Sequence, residues 1–231
     1  MYFSPSLMCM DYLHIEEQIK ILNQHMDFLH YDVMDGHFCK NMALSSDMLR
    51  AVKKVSELPI DVHMMVEHPD EYVDVFCDSG ADYISLQAET INTFAFRNID
   101  QVKARNVKFG IVLNPATPLS FIQEYIGEVD MLTIMTVDVG FAGQKFNYKM
   151  LEKIRAARRL KEENGYKYMI QIDGAVNEKT YRLLWEAGAE CLVIGNSALF
   201  SKDPDLSESC RIVKEAFAEA VAADETEAAE V

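Results

Sequence analysis

The chain has 231 residues, 49% of them hydrophobic, and a formal net charge of −15 from 22 basic and 37 acidic side chains. That length and composition suit one large globular domain or two small ones, and the charge argues against nucleic acid or anionic lipid as a main partner. Five dispersed cysteines (Cys9, Cys39, Cys77, Cys191, Cys210) form no CxxC pair, and neither a basic, apolar leader nor a membrane-length apolar run is present, so the expectation is a reduced, cytoplasmic protein with no membrane contact.

In chain order, apolar runs of strand length alternate with segments of helical period. Strands are expected over residues 2–8 (YFSPSLM), 28–34 (FLHYDVM), 60–66 (IDVHMMV), 82–87 (DYISLQ), 108–113 (KFGIVL), 131–137 (MLTIMTV), 168–173 (YMIQID) and 191–195 (CLVIG). The amphipathic stretches between them include 48–58 and 150–165. The latter sets Leu151, Ile154, Ala157 and Leu160 on one stripe and closes on basic residues and a glycine. Two helix tails enter the next strand through Gly-Ala, at Gly80-Ala81-Asp82 and Gly188-Ala189-Glu190, with glycine suited to the left-handed position of the turn. Residues 1–222 read as one domain. Residues 223–231, with Asp224, Glu225, Glu227 and Glu230, read as an acidic, disordered tail.

Eight strands in 231 residues leave about 29 residues for each strand–helix unit. Strict alternation calls for a parallel sheet, and eight units call for closure into a single (β/α)8 barrel; a doubly wound sheet is the alternative. Chemistry in such a barrel belongs at the C-terminal strand ends. Polar side chains interrupt the apolar runs there: Ser6, His30, Asp32, His63, Gln87 and Asp173. Strand period two puts His30 with Asp32 on one face, and likewise Asp61 with His63 and Gln171 with Asp173.

Two imidazoles and two carboxylates converging in one mouth form a donor set for a divalent metal ion, whether zinc, iron(II), manganese or cobalt. Singly, a strand histidine is more often a hydrogen-bonded core residue, and Asp173-Gly174 is an ordinary turn dipeptide; the joint pattern carries the metal reading. Loops 173–177 (DGAVN) and 195–200 (GNSALF) read as backbone cradles for an anion, and 139–146 (VGFAGQKF) as a glycine loop that approaches a ligand. A plain βα turn is the alternative for each.

With those residues in view, LHYDVMDGHF (29–38), IDVHMMVEHP (60–69), LNPATPLS (113–120), MTVDVGFAGQKF (135–146) and IDGAVN (172–177) resemble the ribulose-phosphate 3-epimerase family of (β/α)8 barrels, in order from Phe3 to about Phe200. SPSLMCMD (4–11), ETINTFAFRNID (89–100) and Ala142 are most like the D-allulose-6-phosphate 3-epimerase branch. The resemblance implies a metal-dependent ketose-phosphate 3-epimerase that inverts carbon 3 through an enediolate. Its substrate would be D-allulose 6-phosphate, giving D-fructose 6-phosphate, or alternatively D-ribulose 5-phosphate, giving D-xylulose 5-phosphate.

Residue by residue, the resemblance implies His30, Asp32, His63 and Asp173 as metal ligands, with Asp32 and Asp173 as the acid/base pair. Ser6, His63, Gly140, Phe141, Ala142 and Gly143 would touch substrate, and Gly174, Ala175, Gly195, Asn196 and Ser197 would grip its phosphate. Met34, Met65 and Met135 fall where methionines pack over the reacting carbons, with plain core filling the alternative. A homo-oligomer and no organic cofactor are also implied.

The chain departs from the family pattern at four places. Val139 replaces a usual proline and Gln87 a usual histidine, which leaves a side chain that hydrogen-bonds but does not titrate. Ala175 and Asn196 replace smaller or hydroxylic residues in the phosphate grip. A decarboxylase-type barrel of the orotidine kind would need a DxKxxD array, and Met34 stands where its lysine would be. A non-catalytic sugar-phosphate sensor would be expected to have lost a ligand or an acid, and all four groups are present.

Overall fold

The structure, a computed structural model, describes residues 1–222; the expected acidic tail at 223–231 lies outside them. Eight parallel strands follow one another: β1 (Tyr2–Pro5), β2 (Leu29–Asp35), β3 (Ile60–Met65), β4 (Tyr83–Gln87), β5 (Lys108–Leu113), β6 (Met131–Met135), β7 (Met169–Asp173) and β8 (Cys191–Ile194). From β2 round to β8 each pairs with its successor, and β8 pairs with β1. Ser6, just past β1, bridges to His30 of β2 and closes the ring. The fold is therefore the closed (β/α)8 barrel, and the open doubly wound sheet is excluded. A two-residue antiparallel strand, Met42–Ala43, adds to the end of β2.

The helices α1 (Ile15–His25), α2 (Ser46–Lys53), α3 (Val73–Asp78), α4 (Ala95–Lys103), α5 (Met150–Asn164), α6 (Tyr181–Ala187) and α7 (Leu206–Ala222) pack outside the strands. Between β5 and β6 the chain makes only the short 3-10 turns Leu119–Ile122 and Ile126–Glu128. The helix expected at 48–58 begins earlier, because the Ser45 side chain accepts from the Met48 N–H and caps it, and it stops at Lys53. The helix expected at 150–165 ends as anticipated, with Gly165 at φ 67°.

Strand alternation divides the side chains into two sets. Leu29, Tyr31, Val33, Ile60, Val62, Met64, Ile84, Leu86, Phe109, Ile111, Leu132, Ile134, Ile170, Ile172, Leu192 and Ile194 are buried in the main apolar core with the helices. The opposite face fills the barrel. Its base is the apolar group Phe28, Tyr83, Met131 and Cys191, and above it lie the fully buried polar residues Ser4, Asp61, Ser85, Thr133 and Gln171. Thr133 donates to Gln171 Oε1 at 2.8 Å.

The lower rim repeats in pairs of strands. Asp27, Asp82, Asp130 and Glu190 each precede an even-numbered strand and accept an N–H from the first or second residue of the odd-numbered strand before it, Phe3, Ile60, Phe109 and Ile170, at 2.8, 2.8, 2.9 and 2.8 Å. At the two Gly-Ala turns the same carboxylates pair with lysines of α2 and α5, one strand–helix unit earlier, Lys53 with Asp82 at 2.5 Å and Lys161 with Glu190 at 2.7 Å. Gly80 and Gly188, both at φ 108°, let those turns form.

Gly110 of β5 leaves the space that Ser85 occupies: a Cβ there would lie 2.9 Å from Ser85 Cβ and 3.0 Å from its Cα. Replacing Gly110 by Ala overpacks the barrel interior and should cost about 1–3 kcal/mol. Thermal unfolding should show Tm lowered by roughly 2–4 °C per kcal/mol lost. An unchanged Tm would mean that Ser85 moves aside freely.

Candidate functional site

The upper end of the barrel interior holds the group foreseen in the sequence. The register sets His30 beside Asp61, Asp32 beside His63 and His63 beside Ser85, so side chains from β2, β3 and β4 meet across adjacent strands. Asp173 comes in from β7, with β8 and β1 between it and β2. One atom from each of His30, Asp32, His63 and Asp173 lies within 4.8 Å of the others. His30 Nε2 is 3.3 Å from His63 Nδ1, 3.4 Å from Asp32 Oδ1 and 3.7 Å from Asp173 Oδ2. His63 Nδ1 is 3.6 Å from each of the same two carboxylate oxygens.

These separations bear on metal binding. Four donors about 2.1 Å from a tetrahedral ion are about 3.4 Å from one another, close to the spacing of this cluster. The charge fits as well. Asp32 and Asp61 are buried, Asp173 nearly so, and no lysine or arginine is among the cavity residues around them. Buried anions at this density need a cation or bound protons. The four residues thus form a group that could hold a divalent metal ion.

Surrounding groups orient these donors. His30 Nδ1 lies 3.1 Å from Asp61 Oδ2, and Ser85 Oγ donates to Asp61 Oδ1 at 2.5 Å. With Nδ1 turned to Asp61, Nε2 is the His30 nitrogen that faces the cluster. Ser6 Oγ donates to Asp32 Oδ2 at 2.7 Å, and the Gln87 amide meets His63 Nε2 at 2.7 Å.

The pKa values of the two carboxylates are pushed in opposite directions. Burial alone would raise the Asp32 pKa, but His30 and His63, by charge and hydrogen bonds, drive it far below the usual carboxylate range. For Asp173 burial dominates and raises the pKa, His30 pulling it down and the Asp32 charge pushing it up. Burial would lower the His30 pKa, yet Asp32 and Asp61 outweigh it and hold the imidazole protonated well above its ordinary range.

A cavity of about 510 Å³ opens above this floor. Asp32, Asp173 and Ser6 reach it; His30 and His63 lie fully buried beneath, so His63 faces the donor cluster rather than the cavity. Met34, Met65 and Met135 line it, together with Met8 and Cys9, which the sequence did not single out. All of Gly140, Phe141, Ala142 and Gly143 line one side, and Gly174, Ala175, Gly195, Asn196 and Ser197 another. The glycine loop is tied down where Asn41 Nδ2 donates to the Gly140 carbonyl at 2.7 Å, and a Cβ on Gly140 would come within 2.9 Å of Cys39 Cβ. Val139 packs between the methionine clusters in place of a proline. Ala175 holds φ 50°, a left-handed conformation unusual for a residue with a side chain.

Comparison with known proteins is consistent with this geometry. The sequence profile of the ribulose-phosphate 3-epimerase family matches residues 2–200. The ribulose-phosphate 3-epimerase of Bacillus subtilis is 40% identical over 202 residues, 87% of this chain and 93% of that protein. That of Methanocaldococcus jannaschii is 40% identical over 220 residues, 95% of this chain and 92% of its own. The chloroplastic ribulose-5-phosphate-3-epimerase of Arabidopsis thaliana is 37% identical over 87% of this chain and 72% of its own. Among solved structures, a 3-hexulose-6-phosphate synthase superposes with TM-score 0.71 at 16% identity, over 94% of this chain and 99% of that one. The KGPDC of Streptococcus mutans superposes with TM-score 0.74 at 10% identity, over 95% and 98%; at such identities these two share the fold. Among the described residues no helix is long and apolar enough to cross a membrane.

A metal ion bound at His30 Nε2 would displace the proton that Asp32 and Asp61 favour there. Zinc affinity, measured by chelator competition, should therefore weaken as pH falls below the raised His30 pKa, by about tenfold per pH unit for one displaced proton. An affinity independent of pH between about 6 and 8 would show that His30 is not a ligand.

Proposed function

The chain belongs to the ribulose-phosphate 3-epimerase family and is a carbohydrate epimerase, an enzyme of the isomerase class; on that premise we propose that it interconverts D-ribulose 5-phosphate and D-xylulose 5-phosphate. The observation that carries the chemistry is the pair Asp32 and Asp173, which reach the cavity floor from strands separated by β8 and β1 and have their pKa values pushed in opposite directions. The names of the relatives support the pentulose phosphate over the hexulose phosphate expected from SPSLMCMD and ETINTFAFRNID.

Inversion at carbon 3 requires loss of a proton from one face and delivery of another to the opposite face. Asp32, ionised and held by the Ser6 hydroxyl, removes the first proton. Asp173, on the far side of β8 and β1 and with a raised pKa, donates the second to the enediolate. The roles exchange in the reverse direction. His30, Asp32, His63 and Asp173 would hold the divalent cation, which when bound would supply Lewis-acid stabilisation of the negative charge developing on the substrate oxygens.

Met34, Met65 and Met135 cover the reacting carbons and keep water from quenching the intermediate. The phosphate rests on the backbone at Gly174, Ala175, Gly195, Asn196 and Ser197, where N–H dipoles replace a charged side chain. Gly140 to Gly143 close over the sugar.

Asp173→Asn, which keeps the shape and removes the acid, should lower kcat by roughly 10²–10⁴. In D2O it should still exchange the carbon-3 proton of the epimer whose proton Asp32 removes, without turnover; Asp32→Asn should block that exchange and spare that of the other epimer. Loss of both exchanges in each variant would contradict separate roles. The substrate is tested by coupled assays on metal-reconstituted protein, in which kcat/KM is expected to favour D-ribulose 5-phosphate over D-allulose 6-phosphate. The opposite preference would keep the chemistry and overturn the substrate.

A further inference from the structure

Thr180 is buried immediately before α6, a position where a threonine hydroxyl ordinarily accepts from the first N–H groups of the helix. Here the side chain makes no such bond. Its Oγ1 turns back into the loop after β7 and accepts from the Asn177 N–H at 3.0 Å, while the Asn177 and Ala175 carbonyls, at 3.0 and 3.3 Å, share the hydroxyl proton. The Asn177 side-chain amide donates to the same Ala175 carbonyl at 2.9 Å. One residue earlier, the Gly174 carbonyl accepts from the hydroxyl of Thr136, buried just past β6. Neither threonine lines the cavity, whereas Gly174, Ala175 and Val176 all do.

A trans peptide points the carbonyl of one residue and the N–H of the next in opposite directions. The Gly174 and Ala175 carbonyls are drawn to threonines outside the cavity, so the N–H groups of Ala175 and Val176 turn the other way. Neither N–H donates a hydrogen bond among the described residues. Adjacent unpaired amides of this kind suit an anion. We propose that Thr180 is a positioning residue that aims the Ala175 and Val176 N–H groups at the substrate phosphate. The arrangement has to be held, because Ala175 stands at φ 50°, which a residue with a Cβ disfavours. Thr180 holds it from behind, through its contacts with Ala175 and Asn177 on either side of Val176.

This inference rests on reading the loop after β7 as a grip for substrate phosphate, and inorganic phosphate is the probe that separates the two. Its equilibrium binding to the metal-reconstituted protein is measured beside steady-state kinetics on D-ribulose 5-phosphate. Thr180→Val keeps the shape and removes the hydroxyl. It should weaken phosphate binding and raise KM by about tenfold each, the effect of one lost hydrogen bond, with kcat within about twofold of the parent. Thr180→Ser should keep the parent values. Adding Ala175→Gly to Thr180→Val should recover most of the phosphate affinity, because glycine reaches the left-handed conformation without steric penalty; should Thr180→Val not fold alone, this double variant carries the test. Unchanged phosphate affinity in Thr180→Val, or a double variant that binds no tighter than it or does not fold, would overturn the role of Thr180 and leave the phosphate grip standing. A protein inactive on D-ribulose 5-phosphate whose phosphate binding still depends on Thr180 would support the role and overturn the substrate. Failure of the parent protein to bind phosphate would overturn both the role and the grip.

Discussion

The structure turns on the burial of negative charge at the centre of a barrel. Asp32, Asp61 and Asp173 come together beneath the cavity with two histidines and no lysine or arginine. Such a cluster is costly in a low-dielectric interior unless cations or protons offset it. The offset is met in stages. Asp61 is satisfied by His30 and Ser85, Asp32 by Ser6 and both imidazoles, and Asp173, most exposed of the three, shifts toward its neutral form. The imbalance that makes the cluster costly also suits it to a divalent cation, and it pushes the pKa values of two chemically identical carboxylates in opposite directions.

Such a cluster persists only if the scaffold does not rely on it for cohesion. The apolar core lies between the outer face of the strands and the helices, so the interior face is free to be polar. On the lower rim, carboxylates ahead of β2, β4, β6 and β8 accept from the starts of β1, β3, β5 and β7 and knit the strands in pairs. The strands are thus tied together at one end of the barrel and the candidate site occupies the other, a division common to this architecture. Gly110 joins the two, because the absence of its side chain makes room for Ser85, which steadies Asp61 and through it His30.

Much of this was legible in the residues. Eight apolar runs, read by length and alternation, fall on the eight strands, and the polar interruptions His30, Asp32, His63 and Asp173 meet in space because period two fixes which face each side chain takes. Helix ends were harder. The end of α2 at Lys53 and the absence of an α-helix between β5 and β6 depend on packing that no local pattern records. The supporting groups were hidden for a different reason. Ser85, Gly110 and Cys9 are ordinary residues in sequence and acquire a role only through neighbours on other strands. The clasp at Asp82 and Glu190 was half visible, as a repeated Gly-Ala turn, but its lysine partners lie about 29 residues earlier in the chain.

The most direct test of this account is a crystal structure of the zinc-loaded protein with anomalous diffraction recorded at the zinc edge. A single strong peak bonded to His30 Nε2, His63 Nδ1 and one oxygen each of Asp32 and Asp173 is the predicted result. A peak elsewhere, or one that leaves Asp173 or either histidine outside bonding distance, would contradict it.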